Sequence, residues 1–438
     1  MLETVRNAFK LKEIRSRIIY TLLMLVVVRI GTQLPVPGVN GSYFSEWFSG
    51  NSGSAFGFFD AITGGSFEKM SVFALNITPY ITSSIIIQLL TIAIPKLEEL
   101  QKDGEEGRKK MTAITRYLTV ALALMESLAM AIGFGRSGLL IEFNALNVIT
   151  AVVTLTAGST VIMWIGERIT ENGVGNGISI VLTINIISRI PQDLTLLFEQ
   201  FVKGKEIAFQ VLNLAIIIAI IIAVTVLTVA LQGAERRIPV QYSRKVQGRK
   251  QVGGQTSHIP LKVNTAGVIP IIFAQSLFMF PLIIMQLLGK SGGNGIGGTI
   301  LKMLNQSNWC DFNEPIYSIG LIVYIALVIA FAYFYTSITF NPLEIADNMK
   351  KQGGFIPGIR PGKPTSEYLT KILNYIIFIG AVGLVIVAVI PIFFEGAFNA
   401  SISFGGTSLI IIVGVIIETL KQIESRMLVR NYKGFLND

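Results

Sequence analysis

The chain has 438 residues, 51% of them hydrophobic and only 14% charged. Soluble domains run near a quarter charged, so this composition excludes a water-soluble protein and marks an integral membrane protein. The formal net charge is +9, and a single cysteine, Cys310, and a single histidine, His258, exclude an internal disulfide and a histidine-rich metal site.

A hydrocarbon core of about 30 Å takes roughly 20 apolar residues as helix, and uncharged runs of about that length recur ten times. They are expected at roughly 18–34, 71–94, 117–135, 148–165, 177–190, 209–231, 266–288, 316–338, 372–394 and 404–420. Arg6, Lys10, Lys12, Arg15 and Arg17 precede the first run without a small-residue cleavage site, so the amino end is expected to stay attached and cytoplasmic. With loops alternating between sides, the inner ones hold 28 Lys and Arg and the outer ones seven, Arg29 lying inside the first span. That bias puts both termini in the cytoplasm and requires an even number of spans. The expected fold class is an all-α membrane protein. If its ten spans are two repeats of five, residues 1–190 and 191–438, the odd number per half turns the second repeat upside down. No residue-level identity links the halves.

Between the first two spans, the exterior stretch from Gly41 to Phe73 contains FGFFDAITGGSFEKMSVF, which is apolar but broken by Gly57, Gly64 and Gly65 and charged at Asp60, Glu68 and Lys69. Irregular backbone at membrane depth survives only when enclosed by protein or lining an aqueous cavity. The stretch reads either as a re-entrant element seated in a cavity or as a short helix on the outer surface. Further along, the cytoplasmic loop 232–265 carries Arg236, Arg237, Arg244, Lys245, Arg249 and Lys250 around ERRIPVQYSRKVQGRKQ. Its alternating β-formers and QVGGQT turn predict a protruding hairpin. The loop 340–371, with KKQGGFIPGIRPGKPT, is similar in character. Basic loops obey topology and attract anionic headgroups; the length and turn chemistry of these two point further, to an acidic macromolecule such as ribosomal RNA or an acidic protein face.

Within the spans the count of ionisable residues finds Arg29 near the outer end of the first, Glu126 in the third and Glu418 near the inner end of the tenth. Ion-coupled transporters place several such groups near the midplane, and a membrane hydrolase needs paired catalytic groups at one depth; Glu126 alone meets neither need. The spans offer instead branched aliphatics interleaved with small polar residues such as Thr82, Ser83, Ser84, Gln88, Thr183, Asn185 and Gln275. Such residues allow close helix packing or face water, and an aliphatic ring can gate a pore by dewetting. Ile81 and Ile85 share a helical face, as do Ile178, Leu182 and Ile186. No GxxxxGK[ST] phosphate loop occurs, so any energy comes from a partner or a gradient.

The runs FALNITPYITSSIIIQLL, Phe73 to Leu90, and WIGERITENGVGNGISIVL, Trp164 to Leu182, closely resemble the two signature regions of the SecY family, central subunits of protein-translocation channels. LPVPGV, ERRIPVQY, HIPLKVNTAGVIP, FNPLEIADNMKKQGGFIPGIRPG and GGTSLII follow in that family's order and spacing, and the FIPGIRPG wording resembles bacterial members. The resemblance implies a clamshell of two inverted five-helix halves around an hourglass pore, with no enzymatic activity, catalytic residue, metal or cofactor. It implies a constriction ring of Ile81, Ile85, Leu182, Ile186, Ile272 and Ile411, with leucine at position 182 where isoleucine is common. The implied re-entrant plug is Gly57, Phe58, Phe59, Asp60, Ala61, Ile62, Thr63, Gly64, Gly65, Ser66, Phe67, Glu68 and Lys69. A lateral gate between the second and seventh helices would include Thr82, Ser84, Gln88 and Gln275, and Arg236, Arg237, Lys245 and Arg360 would dock motor or ribosome. The implied partners are the small membrane subunits SecE and SecG, the motor ATPase SecA, the ribosome through its RNA, the passing polypeptide and membrane lipid. The implied location is the bacterial plasma membrane.

Overall fold

The structure, a computed structural model, describes residues 6, 8–51, 60, 62–135, 138–203, 207–242, 245–247, 250–252, 256–287, 296–310, 314–398 and 406–434. A helix lies at each of the ten expected places. In order these are α1 (Lys12–Gly31), α3 (Thr78–Ala93), α5 (Gly104–Gly133), α6 (Ala145–Asn172), α7 (Gly177–Phe201), α8 (Ile207–Gly233), α9 (Ile269–Leu287), α11 (Ile319–Thr339), α13 (Lys363–Phe398) and α14 (Gly406–Gly434). Shorter helices α2 (Gly41–Asn51), α4 (Pro95–Lys102), α10 (Ile296–Leu304) and α12 (Pro342–Lys351) fill connections. Among the described residues six helices are long and apolar enough to cross a membrane, or seven if the bent pair α3 and α4 counts as one span. α1 falls outside that set because Lys12, Glu13, Arg15 and Arg17 occupy its first turns and Arg29 its last.

Two boundaries move from their expected places for local reasons. Ser71 bridges Pro35 and residues 72–77 are turns rather than the start of the second span, and the helix begins at Thr78 with Pro79 in its first turn, where the missing N–H is not needed. Its far end breaks at Ile94, held extended before Pro95, and α4 leaves at 110°. The fifth expected span ends at 190, yet α7 runs through Pro191 to Phe201. At its start, Asn176 caps the helix, its Oδ1 accepting the Ile178 and Ser179 N–H groups at 3.1 and 3.4 Å.

The apolar clusters of the described residues gather mostly into two bodies, one before and one after residue 190. One apolar cluster joins Phe44, Phe67, Met70, Leu75, Phe134, Leu139 and Leu155, and a second joins Val28, Ile62, Phe73, Ile77, Ile162, Ile165, Ile169, Val181 and Leu182; both lie wholly before residue 190. Another, with Phe278, Trp309, Tyr324, Val328, Leu384, Ile392 and Ile410, lies wholly after it. Among the described residues the mixed clusters are smaller seams, Ile186 against Ile411 and Ile412, and Ile14 and Val174 against Ile423. In the first body the irregular stretch before α3 lies against α6, where a Cβ on Gly158 would fall 1.9 Å from the Val72 carbonyl oxygen. Glycine is the only residue that lets the two backbones approach so closely.

The hairpin expected in loop 232–265 is present. β1 (Glu235–Tyr242) pairs antiparallel with β4 (Thr256–Lys262), Ile238 opposite Ile259, and β2 (Lys245–Gln247) pairs with β3 (Lys250–Val252). The sequence gives no hint of β5 (Gly354–Phe355), which adds to the free edge of β1 through Gln241 and Phe355 and joins the loops 232–265 and 340–371 in one sheet, order β4-β1-β5. Its inner face buries Ile238 and Val240 against Leu261, Met349, Ile356 and Leu369, while Arg236 and Arg237 stay exposed. Ile238→Ala should cost about 3 kcal/mol by the usual large-to-small toll in a packed core. Limited trypsinolysis of the purified complex should therefore cut both loops faster than in the unsubstituted protein, with the helices still intact on a gel.

Candidate functional site

Of the six expected ring positions, the structure brings four into two neighbouring clusters. Ile81 packs against the group of Ile62, Ile77, Val181 and Leu182. One turn further along α7, Ile186 packs with Ile411 and Ile412 of α14, joined by Ile190 and Val268. The first half of the chain therefore meets the second here through branched aliphatic side chains. Ile85 and Ile272 are half-buried and join neither cluster. Of the expected gate residues, Thr82, Ser84 and Gln88 are half-buried on α3, Gln88 Nε2 donating to Ser84 Oγ at 3.5 Å. Gln275 is buried on α9, with no partner for its Oε1. α9 packs on α11 and α5, and its contact with α3 is slight at most.

The stretch expected as a plug is described at Asp60 and from Ile62 onward; Gly57, Phe58, Phe59 and Ala61 lie outside the described residues. Ile62, Thr63, Ser66 and Phe67 are buried, Gly64 and Gly65 half-buried. Asp60, Ile62 and Thr63 are helical and turns follow from Gly64: Thr63 Oγ1 donates to the Asp60 carbonyl at 3.1 Å, Gly65 N–H donates to the same oxygen at 3.1 Å, and Asn76 Nδ2 donates to the Ile62 carbonyl at 3.1 Å. Residues 62–67 pack among the helices, and α2 (Gly41–Asn51) is a regular helix before them. Gly64 has φ +69°, and a Cβ there would lie 2.7 Å from the Asn185 carbonyl oxygen of α7. Lys69 Nζ donates to Gln33 Oε1 at 2.9 Å on the exposed side.

The sequence count missed a buried ionic group. Arg189, counted there with an exterior loop, lies mid-helix in α7 and is 6% exposed. Its guanidinium pairs with Asp60, with Glu68 Oε2 at 3.3 Å and, through Nε, with Asp193 Oδ1 at 3.6 Å. Asp60 and Asp193 are fully buried and Glu68 is 20% exposed. Asp60 Oδ1 also accepts the Glu68 N–H at 2.8 Å, and a turn below Arg189 the Asn185 Oδ1 accepts from Arg29 at 3.4 Å. The available signal was SRIPQD itself: an arginine and an aspartate four apart share one helical face if the helix continues through the proline.

On the sheet, Arg236, Arg237 and Arg360 are all exposed, Arg360 in a turn between Gly358 and Gly362, which have φ +83° and +102°. The Arg237 guanidinium bonds Glu235 at 2.7–2.8 Å and holds that carboxyl below its usual range. Lys245 lies in β2, its side chain outside the described set, as are Arg244 and Arg249 entirely. Among the described residues no group of three or more His, Cys, Asp or Glu is placed to hold a metal ion.

A SecY family model matches residues 71–420. The chain is 42% identical to the protein translocase subunit SecY of Halalkalibacterium halodurans and 41% identical to that of Bacillus subtilis, each over the full length of both chains. Its fold is similar to a solved protein-conducting channel and to a SecY protein whose plug domain is described as stabilising the closed state and maintaining a membrane seal. Each has a TM-score of 0.63 at 19% identity, covering 94% of this chain and 92% of the other. Sec61 of a canine ribosome-channel complex is similar at TM-score 0.61 and 18% identity over the same shares. With the match running end to end at more than two-fifths identity, the chain belongs to the SecY family of protein translocase subunits.

Proposed function

We propose that the chain is the pore-forming subunit of a protein-conducting channel that passes unfolded polypeptides across the bacterial plasma membrane and releases apolar segments sideways into lipid. As a member of its family it is a multi-pass membrane protein and a channel subunit rather than an enzyme. The observation that carries the reading is the seam on α7. There Leu182 and Ile81 sit over Ile62, and one turn on Ile186 meets Ile411 from the other half. Branched aliphatics exclude water from a narrow passage yet offer a passing chain no hydrogen bonds, so a collar of them seals without selecting sequence. Ile85 and Ile272 complete that collar in this reading, Gly57 to Lys69 form the plug beneath it, and Thr82, Ser84, Gln88 and Gln275 line the sideways exit between α3 and α9. The slight contact between those two helices supports an exit at that place.

The two bodies before and after residue 190 act as the inverted halves of a clamshell, their seams being the surfaces that part. Arg236, Arg237, Lys245 and Arg360 dock the motor ATPase SecA or ribosomal RNA from the cytoplasm, the side on which the basic bias also puts both termini. SecE and SecG complete the complex as small membrane subunits. Arg189, Asp193, Asp60 and Glu68 do form the kind of buried ionic cluster that an ion-coupled transporter needs. Family membership favours the channel, and in it the cluster serves the plug.

Cysteine at Ile81 or Ile272 should crosslink to a secretory chain stalled in the membrane complex, whereas cysteine at the exposed Ile149 of α6 should label from lipid only. Crosslinks from Ile149 alone would defeat the collar. Arg360→Glu removes one cation and adds an anion at an exposed turn, and motor-driven export in reconstituted vesicles should drop by about tenfold, equivalent to roughly 1.4 kcal/mol, while the protein still inserts and assembles. Secretion at the normal rate would remove Arg360 from the docking surface.

A further inference from the structure

Several features outside the collar remain to be explained: the lone Glu126 of α5, the shallow basic cleft of Lys12, Ser16 and Arg17 beside Asn172, and the ionic group on α7. Only the last has a geometry that dictates a consequence. Two carboxylates from the irregular stretch, Asp60 and Glu68, converge on one guanidinium from a long membrane helix. The same guanidinium is gripped from its Nε side by Asp193, one turn further along α7. Asp60 and Glu68 are themselves tied together by the Glu68 N–H bond to Asp60 Oδ1 at 2.8 Å. Ser45 Oγ donates to Glu68 Oε1 at 3.3 Å, so α2 braces the outer acid.

We propose that Arg189 is a positioning residue for the closed channel, the fixed half of an ionic latch that holds Asp60 and residues 62–68 in their seat until water enters the pore. This rests on reading that stretch as the plug. An apolar stretch held by packing alone would be as comfortable in a wet vestibule as any other greasy contact. A buried ion pair is not, because its attraction depends on the surrounding dielectric: at a given separation it is about fourfold weaker in water than at the effective value of about 20 near a protein surface. Hydration at the collar therefore loosens the latch, and a loosened latch admits more water. The latch is also built to reopen and reclose. When the plug leaves, Arg189 keeps Asp193 as a neighbour on its own helix, so no lone cation is stranded, while Asp60 and Glu68 pass into solvent. Gly64 gives the seat its register, since its backbone touches Asn185 where no side chain fits.

The test uses the whole membrane complex in planar bilayers and in vesicles, reading idle ion leak without any precursor and precursor transport in the same preparation. Arg189→Gln should raise the ratio of idle leak to transport by about tenfold, Asp60→Asn by less, because Glu68 remains to hold the cation, and the double variant by no more than Arg189→Gln alone, as partners in one interaction do. Arg189→Lys keeps the charge and should stay within about threefold of the unsubstituted channel. Glu68→Gln, at the least buried partner, should raise the ratio by about threefold, and it serves if the buried variants fail to assemble. A ratio unchanged in Arg189→Gln, or in Glu68→Gln when only that variant assembles, overturns the latch. So does a double variant whose leak is the product of the two single ones. If the unsubstituted complex passes no precursor at all, the channel reading itself falls and the latch falls with it.

Discussion

Inside a bilayer no water is available to satisfy a bare peptide group or a lone charge, and most of this architecture follows from that lack. The long helices satisfy their own backbones. The stretch between Asp60 and Ile77 does not, and it therefore lies behind α3, α6 and α7, its peptide groups spent on one another and on side chains such as Thr63 and Asn76. The same lack sets the cost of Arg189, which is buried only because carboxylates meet it on two sides.

Enclosing an irregular stretch requires packed walls, and the apolar clusters on either side of residue 190 supply them. Each half has its own packed core, Phe44 with Phe67 and Phe134 in one, Phe278 with Trp309 and Tyr324 in the other. The seams between are smaller and aliphatic, as at Ile186 and Ile411. Close packing of this kind resists deformation within each cluster.

Local pattern in the chain is enough to place the helices and the hairpin. Apolar runs such as IIIAIIIAVTVL in α8 leave no alternative, and alternation in RIPVQY points to a strand with Ile238 and Val240 on one face. What local pattern cannot reveal is pairing at long range. SRIPQD looks like the end of a helix because Pro191 removes an N–H that the helix would use, yet α7 continues, and the reason for Arg189 lies in Glu68, 121 residues away. Likewise β5 is only two residues long, too short for any periodicity, and becomes a strand because the edge of β1 is free to receive it. The ring was legible only in part: motif likeness named six positions, and the described side chains join four of them in two clusters.

The tie between β5 and β1 has a mechanical side. β1 issues directly from α8, β4 leads into α9, and β5 lies between α12 and α13. The two loops are thus a single handle with roots in several helices of the second body, and whatever leans on its tip applies torque to all of them at once.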